Sequence, residues 1–163
     1  MSSLITYPLP VASGTLHLMP CPEPEPRYFF RLAEYGIETV VSLLQPMEAT
    51  ILGLAEEARL CAMTGMTLTS FPVPDHGTPQ DKAAFAQLAT SCHRQLQTGK
   101  TLAVHCFAGI GRTGLLSAAI LMREGLQVDQ ALLKLSRARG VRMPETRAQI
   151  QWLHRYHQEF HTP

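Results

Sequence analysis

The stretch from Thr101 to Gly114, which reads TLAVHCFAGIGRTG, constrains the fold of this chain more than any other. It begins with a short apolar run typical of a buried strand and passes through a loop that contains glycines. A segment rich in leucine and alanine follows, which is typical of a helix. The sequence therefore predicts a strand, a loop large enough to hold a phosphate group, and the start of a helix.

The loop in this stretch has the composition of an anion-binding site. Backbone N–H groups at a helix N-terminus lack intrahelical acceptors, and the helix dipole favours negative charge there. Gly109 and Gly111 allow the positive φ angles and the close backbone approach that a cradle needs. Arg112 adds a planar guanidinium that fits two oxygens of a phosphate or sulfate. The predicted phosphate-binding residues are Phe107, Ala108, Gly109, Ile110, Gly111 and Arg112.

Cys106 stands at the end of the predicted strand, beneath the expected anion. The N–H groups and the dipole that hold an anion also stabilise a thiolate, the nucleophilic form of cysteine. The alternative is a buried structural cysteine, since free cysteines are usually buried. That alternative leaves Arg112 unexplained, so we interpret Cys106 as a nucleophile.

The residues from His105 to Gly114, HCFAGIGRTG, resemble the HCxxGxxRTG signature of the cysteine-dependent protein tyrosine phosphatase superfamily. The resemblance implies a phosphocysteine intermediate on Cys106, with the phosphate held by the loop and Arg112. It also implies that Thr113 donates a hydrogen bond to the sulfur and that His105 lies beneath the loop and supports the thiolate. The chemistry of this family requires no metal ion or other cofactor.

The segment from Pro72 to Pro79, PVPDHGTP, resembles the mobile acid loop of the family, usually written WPDxGxP. Val73 replaces the Trp of the tyrosine-specific members, as in the smaller dual-specificity members. Asp75 is the predicted general acid for the leaving oxygen and then the base that activates water. A turn in which Asp75 only caps the next helix is the alternative. Asp81 is the competing carboxylate, although it lies where it suits the dipole of that helix.

Four further features have two interpretations each. Glu48 either stabilises a helix start, which we favour, or pairs with a loop arginine as a carboxylate does in the family. By resemblance Gln149 positions the hydrolytic water, although Gln151 is so near in sequence that it also fits the family position.

The other two features are a basic cluster and a histidine face. The cluster of Arg137, Arg139 and Arg142 is either a solvated helix end or a positive rim for substrate. His154, His157 and His161 favour a solvated helix face over a metal site, which needs more ligands.

The alternation of strand and helix patterns predicts an α/β domain. We predict a single phosphatase domain over residues 1–163, with a mostly parallel central sheet of four or five strands and helices on both faces. Residues 4–19 form an edge strand or hairpin, and further strands cover 37–44, 66–71 and 102–104. The predicted helices are 27–35, 47–63, 80–97, 113–123, 128–139 and 145–160. The site then lies at the carboxyl end of a central strand, where open α/β sheets bind ligands.

Composition limits the function classes. The 163 residues carry a formal net charge of +1, which argues against general affinity for nucleic acid or anionic membranes. No apolar run approaches the roughly 20 residues of a membrane span, and no secretory signal is recognisable, so we expect a cytoplasmic monomer. The four cysteines lack metal-ligand spacing and indicate reduced thiols. By resemblance, one of Cys21, Cys61 and Cys92 could form a disulfide with an oxidised Cys106.

The resemblance implies a phosphorylated protein or peptide as substrate, with phosphotyrosine preferred and phosphoserine or phosphothreonine as further substrates. The same chemistry on a phosphoinositide or an RNA 5′-phosphate is an alternative. Phosphoinositide members usually carry Lys within the Cys loop, and this loop has none. A phosphate-binding pseudophosphatase is the other alternative. The presence of Cys106, Arg112 and Asp75 argues against it.

Overall fold

The structure, a computed structural model, describes residues 4–160 around a five-stranded sheet. The strand order is β1-β2-β5-β3-β4, and only the β1–β2 hairpin is antiparallel. The mostly parallel sheet of the sequence prediction is thereby confirmed, with the hairpin at its edge. The strands are β1 (Tyr7–Val11), β2 (Gly14–Met19), β3 (Thr39–Ser42), β4 (Thr67–Ser70) and β5 (Thr101–His105).

Helices cover both faces of this sheet. Those of the described residues are α1 (Pro26–Glu34), α2 (Pro46–Ile51), α3 (Glu57–Met63), α4 (Lys82–Gln97), α5 (Gly111–Arg123), α6 (Val128–Arg139) and α7 (Arg147–Phe160). Side chains of α1 and α3 build the core on one face, and those of α4 to α7 build the larger core on the other. Within residues 4–160, no helix combines the length and the apolar character that crossing a bilayer would need.

Strand β5 lies in the middle of the sheet and is buried on both faces. Leu102 and Val104 point into the larger core, and Ala103 points into the smaller one. Apolar residues on both faces are typical of a central parallel strand. Helix α5, which follows β5, is buried along nearly its whole length. The loop between these two elements is therefore held at both ends by the core.

The predicted helix over residues 47–63 is wrong, because the chain forms two helices there. Gly53 adopts a positive φ of 76°, which favours glycine and ends the first helix. The N–H of Leu54 then donates to the Ala49 carbonyl at 2.7 Å. The break changes the phase of the second helix, and Glu57 in its first turn is buried.

The predicted start of the last helix at Glu145 is also wrong, since α7 begins at Arg147. The Thr146 hydroxyl accepts the N–H of Gln149 at 3.0 Å, which is the bond of an N-cap residue. Pro144 and Glu145 consequently precede the helix. The side chain of Glu145 reaches the loop after β5 from this position.

Candidate active site

The loop between β5 and α5 presents free N–H groups at the carboxyl end of the central strand. Gly109 has a φ of 74°, and a Cβ there would lie 2.5 Å from the Met19 carbonyl oxygen, so the position requires glycine. The N–H of Cys21 donates to the Phe107 carbonyl at 2.9 Å. No described residue accepts a hydrogen bond from the N–H groups of Phe107, Ala108, Gly109, Ile110 or Arg112.

Arg139 supports this loop from outside. Its Nε donates to the Gly109 carbonyl at 3.2 Å, and its Nη2 donates to the Ala108 carbonyl at 3.0 Å. Its guanidinium also stacks over the Tyr7 ring, 4.2 Å from the centroid. Arg139 therefore belongs neither to a solvated helix end nor to a substrate rim, the two interpretations that its basic neighbours suggested. Sequence pattern carries no signal for a contact of this kind.

Cys106 is 2% exposed and lies at the first position of the loop. The Thr113 hydroxyl donates to its Sγ at 3.2 Å, as the resemblance implied. His105 is fully buried beneath the loop, with Nδ1 3.2 Å from the Cys106 carbonyl oxygen and Nε2 2.6 Å from the Glu57 carboxylate. Glu57 is the residue that the sequence analysis missed here, because the helix break at Gly53 is not visible in the apolar spacing.

Arg112 is 2% exposed and is held by several acceptors. Its two terminal nitrogens form a bidentate pair with Glu48 at 2.7 and 2.9 Å. Nη1 also donates to the Val73 carbonyl at 3.0 Å, and Nη2 to the Asp75 carboxylate at 3.1 Å. Burial acts to lower the pKa of Arg112, but the Glu48 hydrogen bonds and the negative groups around it outweigh burial and raise it.

Glu48 has both of the roles that the sequence analysis separated. It accepts the N–H of Gln45 at 2.9 Å at the start of α2, and it holds Arg112. The favoured interpretation, helix-start stabilisation, is therefore confirmed, and the pairing with the arginine that was set against it is present as well. The pKa of Glu48 lies below its ordinary value, because hydrogen bonds from Arg112 favour the charged carboxylate.

Asp75 lies in the irregular segment between β4 and α4, with its side chain half exposed and next to Arg112. The helix-capping alternative for Asp75 is wrong. Asp81 is the residue that caps α4, where it accepts the N–H of Ala84 at 3.0 Å. The Val73 side chain is buried, and its carbonyl accepts from Arg112. This segment and the loop of residues 107–112, the predicted phosphate loop, thus share one guanidinium.

A second connection between these loops runs through Glu145, a residue that the sequence analysis did not single out. Its Oε1 accepts the N–H of Gly111 at 3.1 Å, and its Oε2 lies 3.3 Å from Nδ1 of His76. Nε2 of His76 lies 3.6 Å from Asp75, and His76 adopts a φ of 57°. A protein carboxylate therefore already contacts the loop whose composition predicts anion binding.

Gln149 is fully buried beside the phosphate loop. Its Nε2 donates to the Gly77 carbonyl at 3.1 Å, and its Oε1 accepts the N–H groups of Glu145 and Thr146. A Cβ on Gly111 would lie 3.1 Å from Nε2. Gln151 is exposed, so of the two glutamines only Gln149 is buried beside this loop.

The remaining cysteines differ in their surroundings. Cys92 on α4 packs in the larger core, and burial raises its pKa to about 12. Burial, with a smaller effect of Glu57, also raises the pKa of Cys61 to about 12. Cys21 adjoins the phosphate loop, and burial followed by the nearby Cys106 and Glu57 raises its pKa. Cys21, Cys61, Cys92 and Cys106 are all free thiols.

Among residues 4–160, no group of three or more His, Cys, Asp or Glu side chains is arranged to hold a metal ion. His154 lies 3.6 Å from Asp129 and is half exposed. His161, the last member of the predicted histidine face, lies outside the described residues.

Comparisons with known proteins agree with this fold. A family model described as "Polymorphic toxin system, DSP-PTPase phosphatase" matches residues 23–126, well over half of the chain. The chain belongs to the cysteine-dependent protein tyrosine phosphatase superfamily, as a small member of the dual-specificity type. The matched range contains both the segment with Asp75 and the loop after Cys106.

The individual relatives have low sequence identity to this chain. Mouse (Mus musculus) cyclin-dependent kinase inhibitor 3 is 25% identical over 126 residues, which cover 77% of this chain and 59% of that protein. Zebrafish (Danio rerio) protein tyrosine phosphatase domain-containing protein 1 is 31% identical over 124 residues, 71% of this chain and 17% of that protein. The chain spans about half the length of the cyclin-dependent kinase inhibitor 3 relatives that it matches.

Solved structures share the fold. A crystal structure of kinase associated phosphatase (KAP) superposes with a TM-score of 0.89 and 20% identity, covering 97% of this chain and 96% of the other. The structure of PTPMT1 in complex with PI(5)P superposes with a TM-score of 0.75 and 16% identity, covering 94% and 96%. At these identities the superpositions establish the α/β fold with its central sheet.

Proposed function

We propose that this chain is a phosphoprotein phosphatase, which hydrolyses phosphotyrosine and also phosphoserine or phosphothreonine through a phosphocysteine intermediate. The observation that carries the proposal is the run of backbone N–H groups after Cys106 that have no acceptor among the described residues, next to an Arg112 that contacts Asp75. One site thereby combines an anion cradle, a nucleophile and an acid. We assign this activity to a single domain over residues 1–163 that acts as a cytoplasmic monomer.

In the first step the free N–H groups and Arg112 bind the phosphoryl oxygens of the substrate. The Cys106 thiolate attacks phosphorus in line with the leaving oxygen, so the S–P bond forms as the P–O bond breaks. Asp75 donates its proton to the leaving oxygen, a transfer typically worth about 10²–10⁴-fold in rate. Glu48 accepts hydrogen bonds from both terminal nitrogens of Arg112 and so fixes the orientation of the guanidinium.

In the second step water attacks the phosphocysteine. Asp75, now ionised, takes a proton from this water, and the S–P bond breaks to release phosphate and the Cys106 thiolate. The Thr113 hydroxyl stabilises the departing sulfur. Gln149 lies beside the loop and contacts the segment that carries Asp75 through Gly77, which supports a role in positioning the water.

His105 and Glu57 act beneath the site. The His105 ring links the buried Glu57 carboxylate to the Cys106 carbonyl, so it orients the first peptide of the loop. We propose that this pair keeps the loop in the shape that stabilises the thiolate.

A protein substrate is supported by the absence of lysine from the Cys loop and by relatives whose names refer to kinases. Phosphoinositide hydrolysis is the second candidate. It is favoured by the structural similarity to PTPMT1, whose solved complex contains PI(5)P.

The reaction class is tested by hydrolysis of an aryl phosphate in the presence of a chelator. We expect turnover by the wild type, none by Cys106→Ser, and at least about 10²-fold less by Asp75→Asn. Asp81→Asn is the matched control, because it makes the same change at a carboxylate outside the site. A folded wild type that binds phosphate without turnover would identify a pseudophosphatase instead.

A further inference from the structure

A groove of about 520 Å³ adjoins the phosphate loop at Ile110. Its other walls come from the segment between α6 and α7 and from the start of α7. Val141 and Ile150 supply apolar surface, and Arg142 and Arg147 supply two guanidinium groups. Nothing in the chemistry proposed above uses this groove.

Both arginines are exposed, and their side chains form no ion pair or hydrogen bond with any residue in the described part of the chain. Glu145 is the carboxylate that shares the groove, but its oxygens already face Gly111 and His76. The two arginines outnumber this one carboxylate, so the groove carries net positive charge. Such charge next to a phosphate site attracts a second acidic group on the same substrate.

The groove continues away from the loop, which indicates an extended occupant. Val141, Arg142 and Ile150 also line a neighbouring groove of about 650 Å³ along α6, where Leu133 is exposed. A compact headgroup held at the phosphate loop would leave this second groove unused. A polypeptide can cross both grooves. Its apolar side chains would then pack against Leu133 and Val141, and its acidic side chains would contact the arginines.

We propose that Arg142 and Arg147 form a specificity site for acidic residues that flank the phosphorylated residue of a peptide substrate. This inference rests on the proposed phosphatase function and names the substrate class for it. Each exposed ion pair contributes little, so the two arginines together should change affinity about fivefold at low ionic strength. The preference should weaken as salt rises.

The test uses two phosphotyrosine peptides that differ only in flanking glutamates or glutamines. We expect Arg142→Ala/Arg147→Ala to raise KM for the glutamate peptide about fivefold, and to leave the glutamine peptide and an aryl phosphate unchanged. Arg59→Ala/Arg155→Ala is the matched control, because both arginines are exposed and neither lines the groove. An unchanged KM for the glutamate peptide, or equal losses on all three substrates, would overturn the inference.

Binding separates this inference from the proposed function. The affinity of Cys106→Ser for both peptides is measured by fluorescence anisotropy, with and without the two arginine changes. Selective binding of the glutamate peptide without turnover by the wild type would refute the phosphatase function and support the specificity site. Turnover of the aryl phosphate, with equal binding of the two peptides, would support the phosphatase function and refute the specificity site. A KM effect confined to a short-chain phosphoinositide bisphosphate would overturn the peptide assignment in favour of a lipid headgroup.

Discussion

At the scale of single residues, the contact between Glu145 and Gly111 has the most direct functional consequence. Gly111 is the one predicted phosphate-binding residue whose N–H has a described protein side-chain acceptor, and that acceptor is a carboxylate. A bound phosphate dianion meets this carboxylate as a like charge. Glu145 must therefore move away, or lose its contact with the loop, when substrate binds.

We predict that Glu145→Gln strengthens inhibition by inorganic phosphate about tenfold, which corresponds to about 1.4 kcal/mol, because the competing charge is gone. The inhibition constant in an aryl phosphate assay measures this. Glu159→Gln is the control, since it makes the same change at the far end of α7. Weaker phosphate inhibition in Glu145→Gln would show that Glu145 serves only to hold the loop.

The position of Thr113 leads to a prediction about the second chemical step, the hydrolysis of the phosphocysteine. Its hydroxyl is the donor to the Cys106 sulfur, and hydrogen bonds to charged groups are worth about 1.5–3 kcal/mol. We expect Thr113→Val to slow phosphocysteine hydrolysis about 10- to 100-fold and to produce a burst of product in stopped-flow assays. Thr113→Ser keeps the hydroxyl and should show no burst. A Thr113→Val enzyme that slows both steps equally would contradict this role.

At the scale of elements, Glu48 joins the start of α2 to the start of α5 through Arg112. Its pKa is lowered in the folded state, so this stabilisation is present above the ordinary value of 4.5 and is lost as pH falls through the lower folded value. Removing the carboxylate at neutral pH leaves Arg112 buried without its main partner.

We predict that Glu48→Gln lowers the free energy of unfolding by about 2–3 kcal/mol at pH 7. The difference from the wild type should shrink as pH falls below about 4.5. Urea denaturation over a series of pH values measures both. Glu56→Gln, at an exposed glutamate, is the control and should show no such pH dependence. A constant difference at all pH values would rule out the linkage.

At the scale of the whole molecule, the site depends on the larger of the two cores. Phe85 of α4 is fully buried there and packs edge-to-face on Phe71, Trp152 and Tyr156, with ring centroids 5.2–5.9 Å apart. Phe71 directly precedes the segment that carries Asp75. Core packing and the position of Asp75 are thus connected.

We expect Phe85→Ala to lower the free energy of unfolding by about 3–5 kcal/mol, because it leaves a cavity between α4 and α7. Phe30→Ala is the matched control at a ring that is half exposed, where the loss should stay below about 1 kcal/mol. Thermal or urea unfolding compares them. A similar loss of unfolding free energy in both variants would mean that the packing between α4 and α7 does not stabilise the core as described.

The local sequence pattern was sufficient to predict the alternating strands and helices, the central strand β5 and the loop from Cys106 to Arg112. Apolar periodicity, glycine positions and the spacing of a short motif are properties of neighbouring residues, so they can be interpreted without coordinates. Asp75, Thr113 and Gln149 became candidates through the family resemblance, and their catalytic roles stay predictions. The cap at Asp81 was also local.

Contacts between distant segments were decided by the tertiary structure. Glu48, Glu57, Glu145 and Arg139 reach the site from four different elements or loops, and none has a distinctive neighbour in sequence. Gly53 redirected Glu57 into the core, and Thr146 left Glu145 outside α7. Charged side chains at such positions have the same local pattern as solvated ones. Only the packing of the sheet and helices brings their partners within hydrogen-bond distance.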